Sequence, residues 1–138
     1  MHSKNSAIIL LGLLQILLMA LQTEAYCVYN NIKNRDVYIY QNTDNTQADR
    51  LSVFKRTVQP RTRECCPKTS PTCSKADDEN IRLKLHVQIL KANNGGDVND
   101  GIIVPAGGYL EISESENTIY YGVYNADDTI FPFETYAL

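Results

Sequence analysis

The segment from Ile81 to Ile89 limits the fold more than any other part of the chain: Ile81, Leu83, Leu85, Val87 and Ile89 alternate with Arg82, Lys84, His86 and Gln88. A period of two puts the aliphatic side chains on one face of an extended strand and the polar ones on the other. A helix would need apolar residues three or four positions on, and Lys84 and Gln88 stand three after Ile81 and Leu85. At least one sheet with one buried face is therefore required. Shorter β-rich runs follow the same grammar at Tyr26 to Tyr29, Asp36 to Gln41, Leu51 to Val58, Ile102 to Val104, Tyr109 to Ser113, Thr118 to Tyr124 and Thr129 to Tyr136, with Asn, Asp, Gly and Pro clusters between them. Only the stretches around Asp44 to Leu51 and Lys75 to Asn80 could hold a helical turn. With no connection long enough for a βαβ crossover, the pattern predicts an all-β domain, an antiparallel β-sandwich or partly open barrel of about eight strands. Pro105-Ala106-Gly107-Gly108 reads as a tight corner whose glycines adopt positive φ.

Ahead of the strands, Ala7 to Leu21 is a nearly continuous apolar run behind Lys4, and Thr23-Glu24-Ala25 places small residues three and one before a cut. This is the pattern of a secretory signal peptide. The run has 15 residues with Gln15 inside, short of the roughly 20 that a membrane-spanning helix needs. The reading is a signal peptide over residues 1–25 and a single secreted domain over 26–138, which leaves 138 − 25 = 113 residues. That length suits one core.

All four cysteines, Cys27, Cys65, Cys66 and Cys73, lie after the expected cut, and an even number in an exported chain reads as two disulfides. A bond between the adjacent Cys65 and Cys66 would close a strained ring. In an extended segment these neighbours point to opposite faces, so one reaches inward to Cys27 while the other closes the short loop to Cys73. The favoured pairing is Cys27–Cys65 with Cys66–Cys73, and Cys27–Cys66 with Cys65–Cys73 stays open.

Charge is unevenly spread. Arg50 to Lys91 carries ten basic and four acidic residues, 10 − 4 = +6, whereas Ala92 onward carries eight acids and no Lys or Arg, −8. The plain reading is neutralisation between the two halves across a solvated surface. The sharper one is a basic patch near Arg56, Arg61 and Arg63 for an anionic polymer or headgroup. Nucleic acid is not expected, because the whole chain is acidic at net −3 and carries no recognised binding module.

No catalytic constellation is legible. His86 is the one histidine left after the cut, it falls on the polar face of its strand, and no Gly-x-Ser-x-Gly turn accompanies it. The loop acids do not define a pair of carboxyls across a cleft. Gly95 to Gly101 reads as a hairpin loop, since it has neither the spacing nor the closing Glu of a calcium loop. Neither a metal nor a cofactor is expected. The tyrosines carry more information. Tyr38 and Tyr40 share one face of a strand opposite Val37 and Ile39, and Tyr120 and Tyr124 share a face opposite Ile119, Tyr121 and Val123. Paired rings on a strand face make Tyr38, Tyr40, Tyr120 and Tyr124 candidates for an aromatic binding surface beside their ordinary role in sheet packing.

Cys27-Val28-Tyr29-Asn30-Asn31, Glu64-Cys65-Cys66-Pro67 with Cys73, and Pro105-Ala106-Gly107-Gly108-Tyr109 resemble segments of uncharacterised small secreted proteins of early-diverging fungi, mycorrhizal ones included. The resemblance covers most of the chain after the expected cut. It implies a fungal, extracellular β-sandwich, and it transfers no catalytic residue. A looser likeness, in the Asn-rich first turn and the Pro-Ala-Gly-Gly corner, is to thaumatin-like and aegerolysin-like sandwiches, from which the chain departs in having only four cysteines and no tryptophan. The expected function is a secreted, effector-like interaction module without enzymatic activity, binding an extracellular protein or a glycan of a host or cell wall through loops at one end of the sandwich. The alternatives are a membrane-active sandwich using its tyrosines and a small secreted hydrolase. The sequence does not fix the oligomeric state.

Overall fold

The computed structural model describes residues 2–21, 24–42, 54–67, 73, 82–90 and 97–138. Within them an N-terminal helix, α1 (His2–Leu21), precedes eight strands: β1 (Glu24–Asn30), β2 (Val37–Asn42), β3 (Lys55–Val58), β4 (Thr62–Pro67), β5 (Arg82–Ile89), β6 (Val98–Pro105), β7 (Tyr109–Ser115) and β8 (Thr118–Tyr124). They form two four-stranded sheets, in the orders β4-β1-β7-β8 and β3-β2-β5-β6. The all-β sandwich expected from the sequence is thus present. Every neighbouring pair is antiparallel except β1 and β7, which run parallel with Cys27 opposite Tyr109 and Asn30 opposite Ile112.

The strands follow from side-chain parity. Leu83, Leu85, Val87 and Ile89 of β5 are buried and their polar neighbours are not, as the alternation requires. The same faces of β1, β2, β6, β7 and β8 supply Val28, Val37, Ile39, Ile102, Val104, Leu110, Ile112 and Val123, so the core lies between the sheets. At about 25 cal/mol per Å² of apolar surface removed from water, this common interior is the main favourable contribution to folding.

Three boundaries differ from the sequence reading. β4 was not expected, because Thr62 to Pro67 has no alternating apolar residues; it is an outer strand, and only Cys66 of its side chains is fully inside. β6 begins at Val98 rather than Ile102, since Asn99 finds a partner on the neighbouring strand in His86 and Asp100 one across the sandwich in Tyr121, so Asp97 to Gly101 is strand and its approach rather than a hairpin loop. Thr129 to Tyr136 is not a regular strand. It is an irregular strap with isolated bridges from Ile130 to Tyr124 and from Thr135 to Ile102. The Phe131 N–H donates to the Val123 carbonyl at 2.9 Å and the Tyr136 N–H to the Gly101 carbonyl at 3.0 Å, so the strap fastens β8 of one sheet to β6 of the other. Tyr136 lies so close over Gly101 that a β-carbon there would meet its carbonyl oxygen at 2.5 Å.

Both favoured disulfides are present, Cys27–Cys65 and Cys66–Cys73. Their faces are the reverse of the expectation. Cys27 and Cys65 are direct cross-strand partners on the outer face, and it is Cys66 that points into the core toward buried Cys73. The Pro105–Gly108 corner carries the chain from β6 to β7, and of its two glycines Gly107 has the positive φ, at 77°. β7 and β8 join through Glu116 and Asn117, both at positive φ (51° and 63°), as a two-residue hairpin demands.

Asn30 is a buried polar residue with full hydrogen bonding. Its Nδ2 donates to the Arg35 carbonyl at 2.7 Å and the Val58 carbonyl at 3.0 Å, and its Oδ1 accepts from the Ile32 N–H at 3.0 Å. It therefore ties β1 to the strand edge of the opposite sheet. In helix α1 the side chains of Ile8, Ile9, Leu10, Leu11, Leu13 and Leu14 are all more than half exposed. Among the described residues no helix is long and apolar enough to cross a membrane. β1 begins at Glu24, ahead of the expected cut before Tyr26, and the Ala25 carbonyl accepts from the Gly107 N–H at 2.6 Å.

Candidate ligand-binding surface

The residues singled out from the sequence do not form one surface. Tyr38 and Tyr40 point outward from β2, and Tyr120 and Tyr124 point outward from β8, so the two pairs lie on opposite outer faces of the sandwich. Arg56 is on β3, Arg61 in the β3–β4 turn and Arg63 on β4, all exposed along one lateral edge. The parity within each strand is as the alternation predicted. What sequence reasoning could not supply was the position of one strand relative to another.

On the β4-β1-β7-β8 sheet the outer face carries a connected row. The Arg63 guanidinium lies 5.9 Å from the centroid of the Tyr29 ring and donates to its hydroxyl at 3.2 Å. Tyr29 meets Tyr109 edge to face at 5.5 Å, and Tyr109 stacks on Tyr124 with centroids 4.8 Å apart and planes 18° from parallel. Arg63, Tyr29, Tyr109 and Tyr124 come from β4, β1, β7 and β8 in that order, so the row crosses the whole sheet. Three strand intervals correspond to about 14 Å. Gly122, opposite Glu111, leaves room for the Tyr124 ring, whose hydroxyl would lie 3.0 Å from a β-carbon at that position. The three rings are half-buried.

Carboxylates flank the rings. The Tyr109 hydroxyl donates to Asp128 Oδ1 at 2.8 Å, and this hydrogen bond is the main cause that pushes its pKa up to about 12. Asp128 sits in a turn fixed by its neighbours: Thr129 donates through N–H and hydroxyl to Asp127 Oδ1, and those bonds lower the Asp127 pKa. Glu111 stands in register between Tyr29 and Gly122. Stacked rings next to carboxylate acceptors suit a ligand with an apolar face and hydroxyl donors at its rim.

The opposite outer face is more fragmented. Tyr38 and Tyr40 are 6.4 Å apart and inclined by 49°, and Tyr40 packs on His86 at 4.5 Å. His86 is half-buried rather than the solvent-facing residue its parity suggested, with Nε2 3.0 Å from Asn99 Oδ1 and Nδ1 shielded from solvent. Between the sheets, the half-buried Tyr121 hydroxyl donates to Asp100 at 2.5 Å, and burial raises the Tyr121 pKa above that of an ordinary tyrosine.

Tyr29 and Tyr109 do not stand out in the sequence because neither shares its strand face with a second ring, Tyr26 of β1 pointing into the core. The usable signal was local: Tyr29 is two residues after Cys27 and so shares its outward face, and Tyr109 follows directly on the Gly107-Gly108 corner. Comparisons with family models, with curated proteins and with solved structures find no match to this chain.

Proposed function

We propose that this chain is a secreted, non-enzymatic binding module whose ligand is a cell-wall or host-surface glycan, held on the row Arg63–Tyr29–Tyr109–Tyr124. The observation that carries the reading is the near-parallel stack of Tyr109 on Tyr124, continuous through Tyr29 with a guanidinium at one end. Sugar rings present C–H faces that pack on tyrosine and hydroxyls that donate to carboxylates, here Glu111 and Asp128. Export is supported by the two disulfides and by the exposed apolar side chains of α1 from Ile8 to Leu14. Cleavage before Tyr26 would remove the Ala25 carbonyl from the Gly107 amide, and intact-mass measurement of secreted material locates the cut. The membrane-active reading draws on Ile130, Phe133 and Leu138, which stand exposed on and after the strap.

Binding to an array of cell-wall glycans tests the proposal. Tyr109→Ala with Tyr124→Ala is expected to weaken binding by at least about tenfold, while Tyr38→Ala with Tyr40→Ala, on the other face, leaves it intact. Equal loss in both variants, or leakage of liposomes without any glycan binding, refutes the assignment. Release of reducing ends from a bound glycan refutes the non-enzymatic part.

A further inference from the structure

The charge asymmetry of the sequence becomes a spatial one in the fold. The outer strands on one side of the sandwich are β3 and β4, and on the other they are β6 and β8 with the strap across them. Lys55, Arg56, Arg61 and Arg63 line the first edge and all are exposed, with one carboxylate among the described residues there, the half-buried Glu64 of β4. On the far side stand Asp97 and Asp100 just before and on β6, Glu116 in the β7–β8 turn, Asp127 and Asp128 in the turn after β8, and Glu134 on the strap. Elsewhere Arg35 pairs with Glu114 at 3.3 Å and Arg82 with Glu134 at 2.7 Å. Among the described residues no carboxylate forms an ion pair with Lys55, Arg56 or Arg61. The edges are separated by three strand intervals, about 14 Å, which exceeds the screening length of about 8 Å at physiological ionic strength. Among the described residues the positive edge therefore keeps its own field, and Arg82 with Glu134 is the ion pair that joins the two halves.

The corner where β3 of one sheet turns into β4 of the other also holds its cations in place. The Arg56 guanidinium lies 5.1 Å from the centroid of the Phe54 ring and donates to the Lys55 carbonyl at 2.8 Å. Arg63 is held on Tyr29. Between them Arg61 occupies the turn at φ 58°, a left-handed conformation that disfavours side chains such as arginine. Thr62 braces that turn, donating from both N–H (3.2 Å) and hydroxyl (2.8 Å) to the Gln59 carbonyl. Two guanidinium groups stacked on aromatic rings lose less freedom on engaging a carboxylate or sulfate than two mobile lysines would.

We propose that the β3–β4 corner is a second binding site, for an anionic polysaccharide, with Lys55, Arg56 and Arg61 contacting its carboxylate or sulfate groups. This site does not rest on the tyrosine row, since Lys55 and Arg56 belong to the other sheet. A polysaccharide fits better than a lipid surface, because Phe54 and Val58 are buried and, of the large exposed apolar side chains among the described residues of the sandwich, Ile130, Phe133 and Leu138 lie on or beyond the strap at the opposite edge, Tyr120 on β8 and Leu90 just after β5. Interfacial binding needs apolar side chains next to the cations.

The test is binding of the purified protein to polygalacturonate, to a heavily sulfated glycan and to neutral laminarin, measured at about 50 and about 500 mM salt. Binding to at least one of the two polyanions is expected at low salt, falling by at least about tenfold at high salt. The triple variant Lys55→Gln/Arg56→Gln/Arg61→Gln should bind it at least about tenfold more weakly with an unchanged melting curve. Tyr109→Ala with Tyr124→Ala should retain that binding even where laminarin binding is lost, which separates this site from the tyrosine row. No polyanion binding at low salt, or equal binding by the triple variant, overturns the proposal. So does association with phosphatidylserine vesicles in place of both polyanions. Salt-sensitive self-association that the triple variant abolishes, without polyanion binding, would make the acidic edge of a second copy the occupant and would equally overturn it.

Discussion

Replacing Asn30 by alanine should be among the most damaging single changes outside the apolar core. The amide makes three hydrogen bonds from a fully buried position, to the Arg35 and Val58 carbonyls and the Ile32 N–H. Each is worth about 1 kcal/mol net, and each partner left unsatisfied away from water adds to the cost, so the loss comes to about 3–5 kcal/mol. Against a total stability of about 5–15 kcal/mol for a domain of this kind, that is a large share. Asn31→Ala, at the exposed neighbour, should change stability by less than about 0.5 kcal/mol. Asn30→Asp keeps the acceptor but turns a carboxylate toward two carbonyl oxygens. It should be at least as damaging as alanine at neutral pH and partly recover as the pH falls, since burial raises the pKa of the new acid and the protonated form can donate. The assay is urea unfolding followed by tyrosine emission, the chain having no tryptophan, with the midpoint compared at constant slope. A midpoint for Asn30→Ala equal to that of Asn31→Ala would refute the argument that this amide joins the two sheets.

Four further outcomes are expected. Cys27→Ser with Cys65→Ser opens the bridge of separation 38 and should lower stability by about 4 kcal/mol, against about 2.5 kcal/mol for Cys66→Ser with Cys73→Ser at separation 7, as read from thermal melts. Leu85→Ala should cost about 2–5 kcal/mol by opening a cavity, and His86→Ala about 1 kcal/mol because it loses the Tyr40 ring and the Asn99 contact; denaturant midpoints that ranked them in the other order would break the strand parity. Tyr109 keeps its proton in the fold to about 12 and in the unfolded chain to about 10, so its contribution is complete below pH 10 and disappears as the pH rises through 12; Asp128→Asn should shift its ultraviolet titration downward. Gly101→Ala should push the Tyr136 backbone off β6, seen as faster amide exchange at Ile103 and Tyr136 with β5 still protected.

The fold was legible where one strand face is buried and the other wet. β5 could be read from its own residues, as could the outward parity of Tyr38 with Tyr40 and of Tyr120 with Tyr124. β4 was not, because an outer strand that buries little beyond Cys66 has no need for alternation. The strap from Thr129 to Tyr136 failed the opposite way: its residues have strand propensity, yet it pairs with two sheets in turn and leaves Ile130 and Phe133 exposed. The binding row depends on which strand lies beside which. Tyr29 meets Tyr109 only because β1 runs parallel to β7, and pairing between distant segments leaves no local periodicity to detect.

That parallel pair also sets the order in which the molecule can be completed. β1 is an inner strand, yet its partner residues Tyr109 to Ile112 emerge late, with Cys27 and Tyr109 separated by 109 − 27 = 82 positions. During synthesis β2, β3, β5 and β6 can assemble their sheet while β1 still has only β4 on one side. High sequence separation between partners slows folding, toward the millisecond-to-second range for sandwiches. Until the last third of the chain arrives, the β7-facing side of β1 is an unpaired template for any other extended segment. The Cys27–Cys65 bridge closes between strands already adjacent before β7 exists, so an oxidising compartment can lock β1 to β4 and hold that edge in register until its parallel partner arrives.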